Sequence, residues 1–439
     1  MTRDQEAREC ALKYVDSHVG EMVDWLCEFI GFKSLGGMHV LGQELEAQEW
    51  LKKQFEQWRL FDKIDYWFVD SEKRRPNVVG VITGKRPSEG KKLIYNGHVD
   101  VVPVPDEELA RWGSDPWRGT VREVRVYGRG ANDMKGGLTA TVWATRAIVD
   151  SGIELNSDLI IEAVVGEEEG GAIGTRAAVQ RGYTAPFAVV TEPTDQEIKV
   201  STVGNFDFRL QVTGKEMHTG WRNRMLYPQR HGIPTGSEVG VDAIEKTVKY
   251  ISAFRELERQ WALRWRHDLF DNPLGSTGLG AFTINVTQIR GGNYKGSVAG
   301  QCEIAGEVYY PPWVKADDVI GEMKATIEHT SLMDDWLRSH PPRFLVPETF
   351  HVPGYELDRR NEGCEALARA FRESIGSEAT FAAFQGPGDW NYLGNMGIPT
   401  VAFGPDSMGA HGPNESVSIR AMVQVCKTLV AMAIDWCGL

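Results

Sequence analysis

The first two hundred residues alternate short apolar segments with segments of helical periodicity, and this alternation constrains the fold more than any other feature of the sequence. Strands that alternate with helices build a sheet covered by helices on both faces. The sequence therefore predicts an α/β fold around a central mixed sheet. Ligands of such sheets bind beyond the carboxyl ends of the strands, so polar residues after each strand are candidates for a functional site. The predicted strands cover 78–81, 93–95, 159–165 and 188–191, and the predicted helices cover 43–58 and 136–149.

A different pattern begins near residue 200. Its order, strand-helix-strand-strand-helix, is typical of a ferredoxin-like α+β domain. The α/β pattern returns after Pro341-Pro342, so we expect the small domain to be inserted into the large one, which gives the division 1–199, 200–340 and 341–439. A chain of 439 residues also exceeds the ~250–300 residues that one core usually supports. The predicted strands of the small domain cover 206–212, 281–289 and 300–310, and its predicted helices cover 241–254 and 315–330.

Composition and charge exclude several functional classes. The formal net charge is −13, whereas nucleic acids and anionic membranes are bound by basic surfaces. No apolar run approaches the ~18–20 residues that span a bilayer, and residues 1–26 mix both charge signs without an apolar signal core. The six cysteines include no CxxC unit, which indicates neither a disulfide frame nor a thiolate metal site. We therefore expect a cytoplasmic protein that binds a small molecule and neither nucleic acid nor membrane.

Acidic residues and histidines follow the predicted strands in five short segments. Taken singly, each has an ordinary structural explanation: Asp133 could cap a helix, and three consecutive glutamates are usually a solvated loop. Together the segments supply two imidazoles and several carboxylates without a thiolate. Such ligands suit Zn²⁺, with Mn²⁺ and Co²⁺ as alternatives. The residues concerned are His98, Asp100, Asp133, Glu167, Glu168, Glu169, Glu192 and His411.

These five segments and a sixth motif, DPW at 115–117, resemble those of a known family. In order along the chain they read GHVDVVP, DPW, YGRGANDMKGG, GEEEGG, TEPT and HGPNE. They are similar to the motifs of the metal-dependent aminoacylases and carboxypeptidases, which include acetylornithine deacetylase, succinyl-diaminopimelate desuccinylase and bacterial glutamate carboxypeptidase. The resemblance covers roughly 93–195 and 380–415. It implies a zinc-exopeptidase-like catalytic domain and an inserted domain that acts as a lid and forms a homodimer.

The resemblance implies a site for two divalent metal ions, and it assigns each ligand. One ion would be held by His98 and Glu192, and the other by Glu169 and His411. Asp133 would bridge the two ions, because a carboxylate can bind both whereas a neutral imidazole cannot. Asp100 would orient the imidazole of His98 through its other nitrogen.

The general base would be the carboxylate that lies beside the reacting water and is not used as a ligand. The resemblance assigns this role to Glu168. The choice between Glu167 and Glu168 depends on Gly171 and Gly174, which set the register of the glutamates. In this register Glu167 takes the place that the family usually gives to an aspartate, outside the ligand set.

The inserted domain also matches the family in part. His218 corresponds to a lid histidine that in the family comes from the partner subunit and polarises the reacting carbonyl. The family's arginines for a substrate carboxylate are replaced by Tyr309 or Tyr310 and by Asn391. Neither side chain can form the bidentate bonds of a guanidinium, so we expect ordinary C-terminal peptides to bind poorly.

An extra segment at 221–231 follows the lid histidine and carries Arg222 and Arg224. A solvated basic loop is one explanation. Our hypothesis is that these arginines and nearby aromatic residues bind a compact anionic substrate, which could contain an aromatic ring.

The function favoured by these residues is hydrolysis of a C–N bond in a small molecule, with an N-acyl amino acid or a related amide as the default substrate. The alternative is a metal-dependent aminohydrolase that releases ammonia from an electron-poor aromatic amine such as nitroanthranilate. A non-catalytic binding protein with the same fold is a third hypothesis. It would be expected to lack a ligand or the base, and neither is missing here.

Overall fold

The computed structural model describes residues 3–36, 42–72, 74–86, 88, 90–170, 173–271, 280–347 and 351–439. Gly171, on which the predicted register of the glutamates partly depends, lies outside these residues. The helices are α1 (Arg3–Ser17), α2 (Val19–Ile30), α3 (Leu45–Gln57), α4 (Asp106–Leu109), α5 (Lys135–Asp150), α6 (Ile173–Gln180), α7 (Arg222–Leu226), α8 (Ala243–Arg264), α9 (Asp268–Asp271), α10 (Ala316–Leu332), α11 (Asp335–Ser339), α12 (Glu362–Ile375), α13 (Asp389–Asn395) and α14 (Ile419–Cys437).

The strands are β1 (Lys63–Phe68), β2 (Pro76–Ile82), β3 (Leu93–His98), β4 (Thr120–Arg122), β5 (Arg125–Tyr127), β6 (Leu159–Val164), β7 (Phe187–Val190), β8 (Ile198–Thr202), β9 (Gly204–Thr213), β10 (Met217–His218), β11 (Thr283–Gly291), β12 (Ser297–Val298), β13 (Gln301–Tyr310), β14 (Arg343–Leu345), β15 (His351–Val352), β16 (Tyr355–Glu356), β17 (Phe381–Phe384), β18 (Thr400–Ala402) and β19 (Ser416–Ser418). The chain divides into two compact units. Unit 1 comprises Met1–Ser201 and Tyr355–Leu439, and unit 2 comprises Thr202–Gly354.

Unit 1 is built on a mixed sheet with the strand order β1-β2-β6-β3-β7-β18-β8-β16, and β17 pairs with β8. Strands β6, β3, β7 and β18 run parallel, whereas β1 and β2 run antiparallel to their neighbours. The central strands β3, β6 and β7 are buried throughout, as expected for strands covered on both faces. The α/β fold with a central mixed sheet, predicted from the sequence, is confirmed.

Helix α5 packs close to this sheet because its first turn contains Gly136 and Gly137. A β-carbon at Gly137 would overlap the main-chain oxygen of Thr191, which directly follows β7. The glycine pair therefore allows the helix after Asp133 to approach the end of the strand.

The parallel strands place three site residues at the same edge of the sheet. His98 is the last residue of β3, Glu167 follows the end of β6, and Glu192 follows the end of β7. Strand β3 pairs in parallel with both β6 and β7, so the carboxyl ends of the three strands are adjacent. This edge is where an α/β sheet is expected to bind its ligand.

Unit 2 contains an antiparallel sheet of order β11-β13-β9-β14, with β15 also paired to β9. Burial alternates along β13, so one face of the sheet lies in the core and the other is open. The chain order β9, α8, β11, β13, α10, β14 is the ferredoxin-like order predicted from the sequence. The unit extends to Gly354 rather than ending at 340, because β14 and β15 both pair with β9.

The structure bears on the predictions made for membrane-spanning helices and for the cysteines. None of the helices described in the structure is long and apolar enough to cross a membrane. All six cysteines are free thiols, and four of them are buried.

Candidate metal centre and active site

His98 lies at the centre of a group of buried acids in unit 1. Its side chain is fully buried, and its Nε2 is 3.2 Å from Oδ1 of Asp133. The same nitrogen is 3.5 Å from Oε1 of Glu192 and 3.8 Å from Oε2 of Glu167. Three carboxylates from three separate segments therefore converge on one imidazole nitrogen.

His411 approaches the same aspartate from its other oxygen. Its Nε2 is 3.3 Å from Oδ2 of Asp133 and 3.1 Å from Oε2 of Glu168. Asp133 thus turns one oxygen toward each histidine. This is the arrangement expected of a carboxylate that bridges two ions.

The donor atoms of this cluster fit divalent metal ions. Within the described residues, single ligand atoms of His98, Asp133 and Glu168 all lie within 4.8 Å of one another, as do those of His98, Glu167 and Glu192. In the same part of the chain, Oε1 of Glu168 and Oε1 of Glu192 are buried and accept no hydrogen bond. Imidazole nitrogens and carboxylate oxygens without thiolates suit Zn²⁺, Mn²⁺ or Co²⁺.

The cluster brings four carboxyl groups and two imidazoles together out of water. Burial, reinforced by the Asp133 carboxylate, raises the pKa of Glu168 to about 7 and that of Glu192 to about 8. Burial also raises the pKa of Glu167 well above its usual value, although the charge of His98 opposes this shift. The hydrogen bonds to Asp133 and Glu168 raise the pKa of His411 to about 11. The buried glutamates therefore resist ionisation, and a bound cation would favour their charged forms.

Glu169, predicted as a metal ligand, accepts a hydrogen bond of 2.9 Å at its Oε2 from Nη1 of Arg75. Of the other two glutamates, Glu168 lies beside His411 and Glu167 lies beside His98. The assignment of Glu168 as the base and Glu169 as a ligand stays a prediction.

Two local main-chain hydrogen bonds shape the turn that contains the three glutamates. A hydrogen bond of 2.8 Å from the amide of Gly170 to the main-chain oxygen of Glu167 closes the turn. Gly174, used to set the predicted register, donates to the main-chain oxygen of Val165 at 3.0 Å. That bond fixes where the turn ends, but it does not decide which glutamates face inward.

Asp100 orients the site in two ways. Nδ1 of His98 lies 2.8 Å from the main-chain oxygen of Asp100, which places the ring proton on Nδ1 and leaves Nε2 free to bind a metal ion. The predicted contact with the Asp100 carboxylate is longer, at 3.7 Å. The carboxylate instead accepts the amides of Gly166 at 2.9 Å and Glu168 at 3.0 Å. Asp100 therefore positions both the imidazole and the glutamate turn.

Glu415 is a site residue that sequence reasoning missed. It is fully buried, and its Oε1 accepts the amides of Asn132 at 2.9 Å and Asp133 at 3.0 Å. Its Oε2 pairs with Nη1 of Arg129 at 2.5 Å. Strand β19, which follows Glu415, pairs with β5, which precedes the Asp133 loop. The sequence does carry a signal for this residue, because Glu415 ends the HGPNE segment that contains His411.

Asn391, predicted to bind substrate, is committed to the helix that contains it. The side chain is fully buried, and its Oδ1 accepts the amide of Gly388 at 3.0 Å at the start of α13. Its role toward a substrate stays a prediction. The residue caps its own helix.

The predicted lid residues His218 and Tyr309 lie in unit 2. His218 ends the short strand β10 with an exposed side chain, and its Nδ1 accepts the amide of Gly220 at 3.0 Å. The hydroxyl of Tyr309 donates to Oε2 of Glu307 at 3.0 Å. Their roles toward a substrate stay predictions.

Arg222 and Arg224 also lie in unit 2, on α7. Arg222 forms ion pairs with Glu245 and, at 3.5 Å, with Asp242. Arg224 lies 5.8 Å from the centre of the Trp221 ring. Since two carboxylates already balance Arg222, the structure weakens the hypothesis that this arginine binds an anionic substrate.

The site combines imidazoles and carboxylates beside the carboxyl ends of parallel strands in a mixed α/β sheet. This arrangement is typical of one class of proteins, the metal-dependent hydrolases. Comparison with known proteins narrows the class to a family. The model of Peptidase family M20/M25/M40 matches residues 94–435, and the chain belongs to this family.

Relatives and solved structures agree with this assignment. The chain is 33% identical over 405 residues to a protein of Halalkalibacterium halodurans named N-formyl-4-amino-5-aminomethyl-2-methylpyrimidine deformylase, with 90% of each chain covered. A Bacillus subtilis protein of the same name is 33% identical over 384 residues, covering 85% of this chain and 86% of that protein. The fold is similar to that of the dipeptidase Dug1p from Saccharomyces cerevisiae, with a TM-score of 0.75, 14% identity and 98% of each chain covered. The chain is therefore an enzyme, a metal-dependent C–N hydrolase, as the sequence predicts.

Proposed function

We propose that this enzyme hydrolyses the amide of a small N-acylated amine, with an N-formyl group on an aminomethyl-substituted ring as the first candidate substrate. The convergence of His98, His411 and the carboxylates on the two oxygens of Asp133 carries the proposal. The names of the relatives that share 33% identity support a formyl amide in particular.

The proposed centre holds two divalent ions, Zn²⁺ in the first instance, with Mn²⁺ and Co²⁺ as alternatives. His98 and Glu192 would hold one ion, His411 and Glu169 the other, and Asp133 would bridge them. Bound there, the ions supply Lewis-acid activation of a water and of the amide carbonyl. Oε1 of Glu192, which is buried and accepts no hydrogen bond within the described residues, supports this assignment.

Glu168 is the proposed general base, with Glu167 as the alternative, because both carboxylates lie at the centre. Oε2 of Glu168 is 3.1 Å from Nε2 of His411, and Oε2 of Glu167 is 3.8 Å from Nε2 of His98. Glu168 takes a proton from the water as the water oxygen bonds to the amide carbon. It then gives the proton to the nitrogen as the C–N bond breaks, which releases the acid and the amine.

The residue at one of the family's arginine positions, Asn391, supports the proposal of a small substrate. Asn391 is buried and caps its helix, so it offers no cation to a peptide carboxylate. A formyl amide requires no such cation. The aminohydrolase reaction on an aromatic amine uses the same base and ions, and a comparison of the released products distinguishes the two.

We further propose that unit 2 forms a homodimer and that His218 acts on the partner's substrate carbonyl. Strand β11 is at the edge of its sheet in the described part of the chain, and unpaired edges can pair with a second copy. Ile289 on this strand is 54% exposed, and Val248 on α8 is 52% exposed. An exposed edge strand beside exposed apolar side chains is compatible with such an interface.

The test compares substrates on the Zn²⁺-loaded enzyme, with Glu168→Gln as the matched inactive control. The panel contains N-formyl and N-acetyl derivatives of an aminomethylpyrimidine, N-acetyl amino acids, dipeptides and an aminobenzoate. Formate, acetate, amino acid and ammonia are each measured. We expect formate release with a kcat/KM at least ~100-fold above the other substrates, a difference of about 2.7 kcal/mol. Preferred release of ammonia, or equal rates on dipeptides, would contradict the proposal.

A further inference from the structure

His411 lies on a loop, residues 409–415, whose backbone is partly left-handed. His411 has a φ of +60° and Asn414 a φ of +62°. Residues other than glycine are uncommon in this region of backbone conformation, and a strained residue persists only where its surroundings hold it. Within the loop, the amide of Gly412 donates to the main-chain oxygen of Gly409 at 2.9 Å. The contacts that hold the loop against the rest of unit 1 therefore decide where the imidazole of His411 lies.

Two consecutive side chains at the end of the loop provide such contacts. Oδ1 of Asn414 accepts the amide of Gly113 at 2.7 Å, and its Nδ2 donates to the main-chain oxygen of Arg111 at 3.0 Å. Asn414 thus holds the loop against a segment that carries no proposed ligand. Glu415 instead binds the segment that contains Asp133, the proposed bridge between the two ions.

Glu415 binds that segment through both its main chain and its side chain. Its main-chain oxygen accepts the amide of Gly128 at 3.0 Å. Its Oε1 accepts two consecutive amides, those of Asn132 at 2.9 Å and Asp133 at 3.0 Å, and its Oε2 accepts Nη1 of Arg129 at 2.5 Å. One carboxylate oxygen therefore receives the donors of two adjacent peptide groups, which restricts the backbone directly beside the bridging carboxylate.

The charge of Glu415 is balanced by a cation of its own. The side chain of Arg129 is only 1% exposed, and its Nη2 also pairs with Oε1 of Glu108 at 3.1 Å. The guanidinium lies 5.5 Å from the centre of the Trp112 ring. Glu415 therefore has a fixed counter-charge that is a side chain of the protein, whereas the acids of the centre are proposed to be balanced by bound ions.

Glu415 thus connects two proposed ligands that are remote in the sequence. It lies four residues after His411 and accepts the amide of Asp133, which is 282 residues away along the chain. In space, Nε2 of His411 is 3.3 Å from Oδ2 of Asp133. We propose that Glu415 is a positioning residue that sets the carboxylate of Asp133 relative to His411. Its acceptor atom Oε1, rather than its charge, performs this role. The inference rests on the proposed two-metal function.

The experiment compares two variants that differ only in the acceptor at position 415. Both carry Arg129→Met and Glu108→Gln, because removing one member of a buried ion pair leaves an uncompensated charge. The first variant adds Glu415→Gln, which keeps a side-chain oxygen for the two amides. The second adds Glu415→Met, which has a similar length and no oxygen. Zn²⁺ affinity is measured by calorimetry, together with kcat and the melting temperature.

The matched control removes a carboxylate–arginine pair of the same kind elsewhere in unit 1. Asp406 accepts the amide of Ser418 at 2.8 Å and Nη2 of Arg125 at 2.5 Å. Asp406→Asn with Arg125→Met breaks this pair and leaves the contacts of Glu415 in place. The control should bind Zn²⁺ as the wild type does.

We expect the Glu415→Met variant to bind both ions about 10–100-fold more weakly than the Glu415→Gln variant, the range seen when residues that orient metal ligands are changed. Both ions are affected because Asp133 is the proposed bridge between them. The affinity is measured on folded protein well below the melting temperature, so lower stability alone would leave it unchanged. Equal affinity in the two variants, or an equal loss in the control, overturns the inference.

If the Glu415→Met variant does not fold, Glu415→Asp in the otherwise unchanged chain provides the test. Aspartate keeps the charge, but its shorter side chain withdraws the oxygen from the two amides. Weaker binding of both ions is again expected, and wild-type affinity and kcat overturn the inference. A wild type that binds no Zn²⁺ overturns the proposed function itself, which is a different result.

Discussion

Buried carboxylates are balanced differently in the two units. In unit 2, Asp334 is buried between the ammonium groups of Lys246 at 2.7 Å and Lys249 at 2.5 Å. In unit 1, the ion pairs that Glu168 and Glu192 form within the described residues are with His411 and His98. Unit 2 therefore balances its buried acid with two lysines, whereas four carboxyl groups of unit 1 share two imidazoles. The difference separates a buried acid that stabilises the fold from buried acids that are proposed to act in a metal centre.

The largest expected effect is loss of the bridging carboxylate in unit 1. Asp133→Asn should reduce binding of both ions and lower kcat/KM by on the order of 1,000-fold or more, since several kcal/mol of charge stabilisation depend on the ions. Metal analysis and steady-state kinetics provide the check. Asp358→Asn, at an exposed surface pair, is the control and should change neither quantity. If Asp133→Asn kept its full metal content and activity, the buried acids of unit 1 would not differ in role from Asp334 of unit 2.

Zn²⁺ should stabilise unit 1 and leave unit 2 almost unchanged. Binding at 100 times the dissociation constant adds about 2.7 kcal/mol to the native state. Hydrogen exchange measured by mass spectrometry should show increased protection at the ends of β3, β6 and β7, and little change in β9 and β13. Equal protection in both units would show that the metal ions do not act on the carboxylates of unit 1.

Replacing Asp334, the buried acid that two lysines balance, should lower the stability of unit 2 and leave metal binding unchanged. Burial alone would raise the pKa of Asp334, but the hydrogen bonds and charges of Lys246 and Lys249 outweigh it and hold this pKa well below the usual 3.8. The carboxylate therefore stabilises unit 2 above about pH 4, and this contribution is lost as the pH falls below that value toward the folded-state pKa.

Asp334→Asn should accordingly cost on the order of 1–3 kcal/mol at pH 7, and the cost should shrink on acidification below pH 4. Denaturant unfolding between pH 7 and pH 2 measures it. A pH-independent cost, or loss of metal ions, would contradict the assignment of Asp334 to structure alone.

The smallest effect is expected for Arg222, because two carboxylates of unit 2 already balance its charge. Arg222→Gln should change the KM by less than ~3-fold, because exposed ion pairs contribute little and the guanidinium is engaged by Glu245 and Asp242. Steady-state kinetics on the preferred substrate provide the measurement. If the KM instead rose by about tenfold or more, the hypothesis of an anion-binding pocket in this segment would be restored.

Much of the fold could be predicted from the sequence because the burial of a strand determines its pattern of apolar residues. Strand β3 appears as an apolar run since both its faces are covered, and β13 appears as an alternation since only one face is. The end of unit 2 could not be predicted, because β14 and β15 are short and belong to it only through pairing with β9.

The site was predictable where residue type alone decides the chemistry. His98, Asp133, Glu192 and His411 meet at one place, as the motifs indicate. The roles of the three glutamates do not follow from the segment itself, because consecutive residues of one type are chemically alike. A polar residue type likewise does not reveal that the side chain of Asn391 is buried and caps its own helix.

The central claim is that Glu168 carries the proton and that Glu169 binds the metal ion beside His411. The most direct measurement is zinc content and kcat for Glu167→Gln, Glu168→Gln and Glu169→Gln, prepared side by side. We predict that Glu168→Gln keeps both ions and loses at least ~100-fold in kcat, the scale of a general-base contribution. Glu169→Gln should lose affinity for the ion beside His411. If Glu167→Gln were instead the inactive variant and Glu168→Gln the active one, the register of the glutamates would be shifted by one residue and the claim would be wrong.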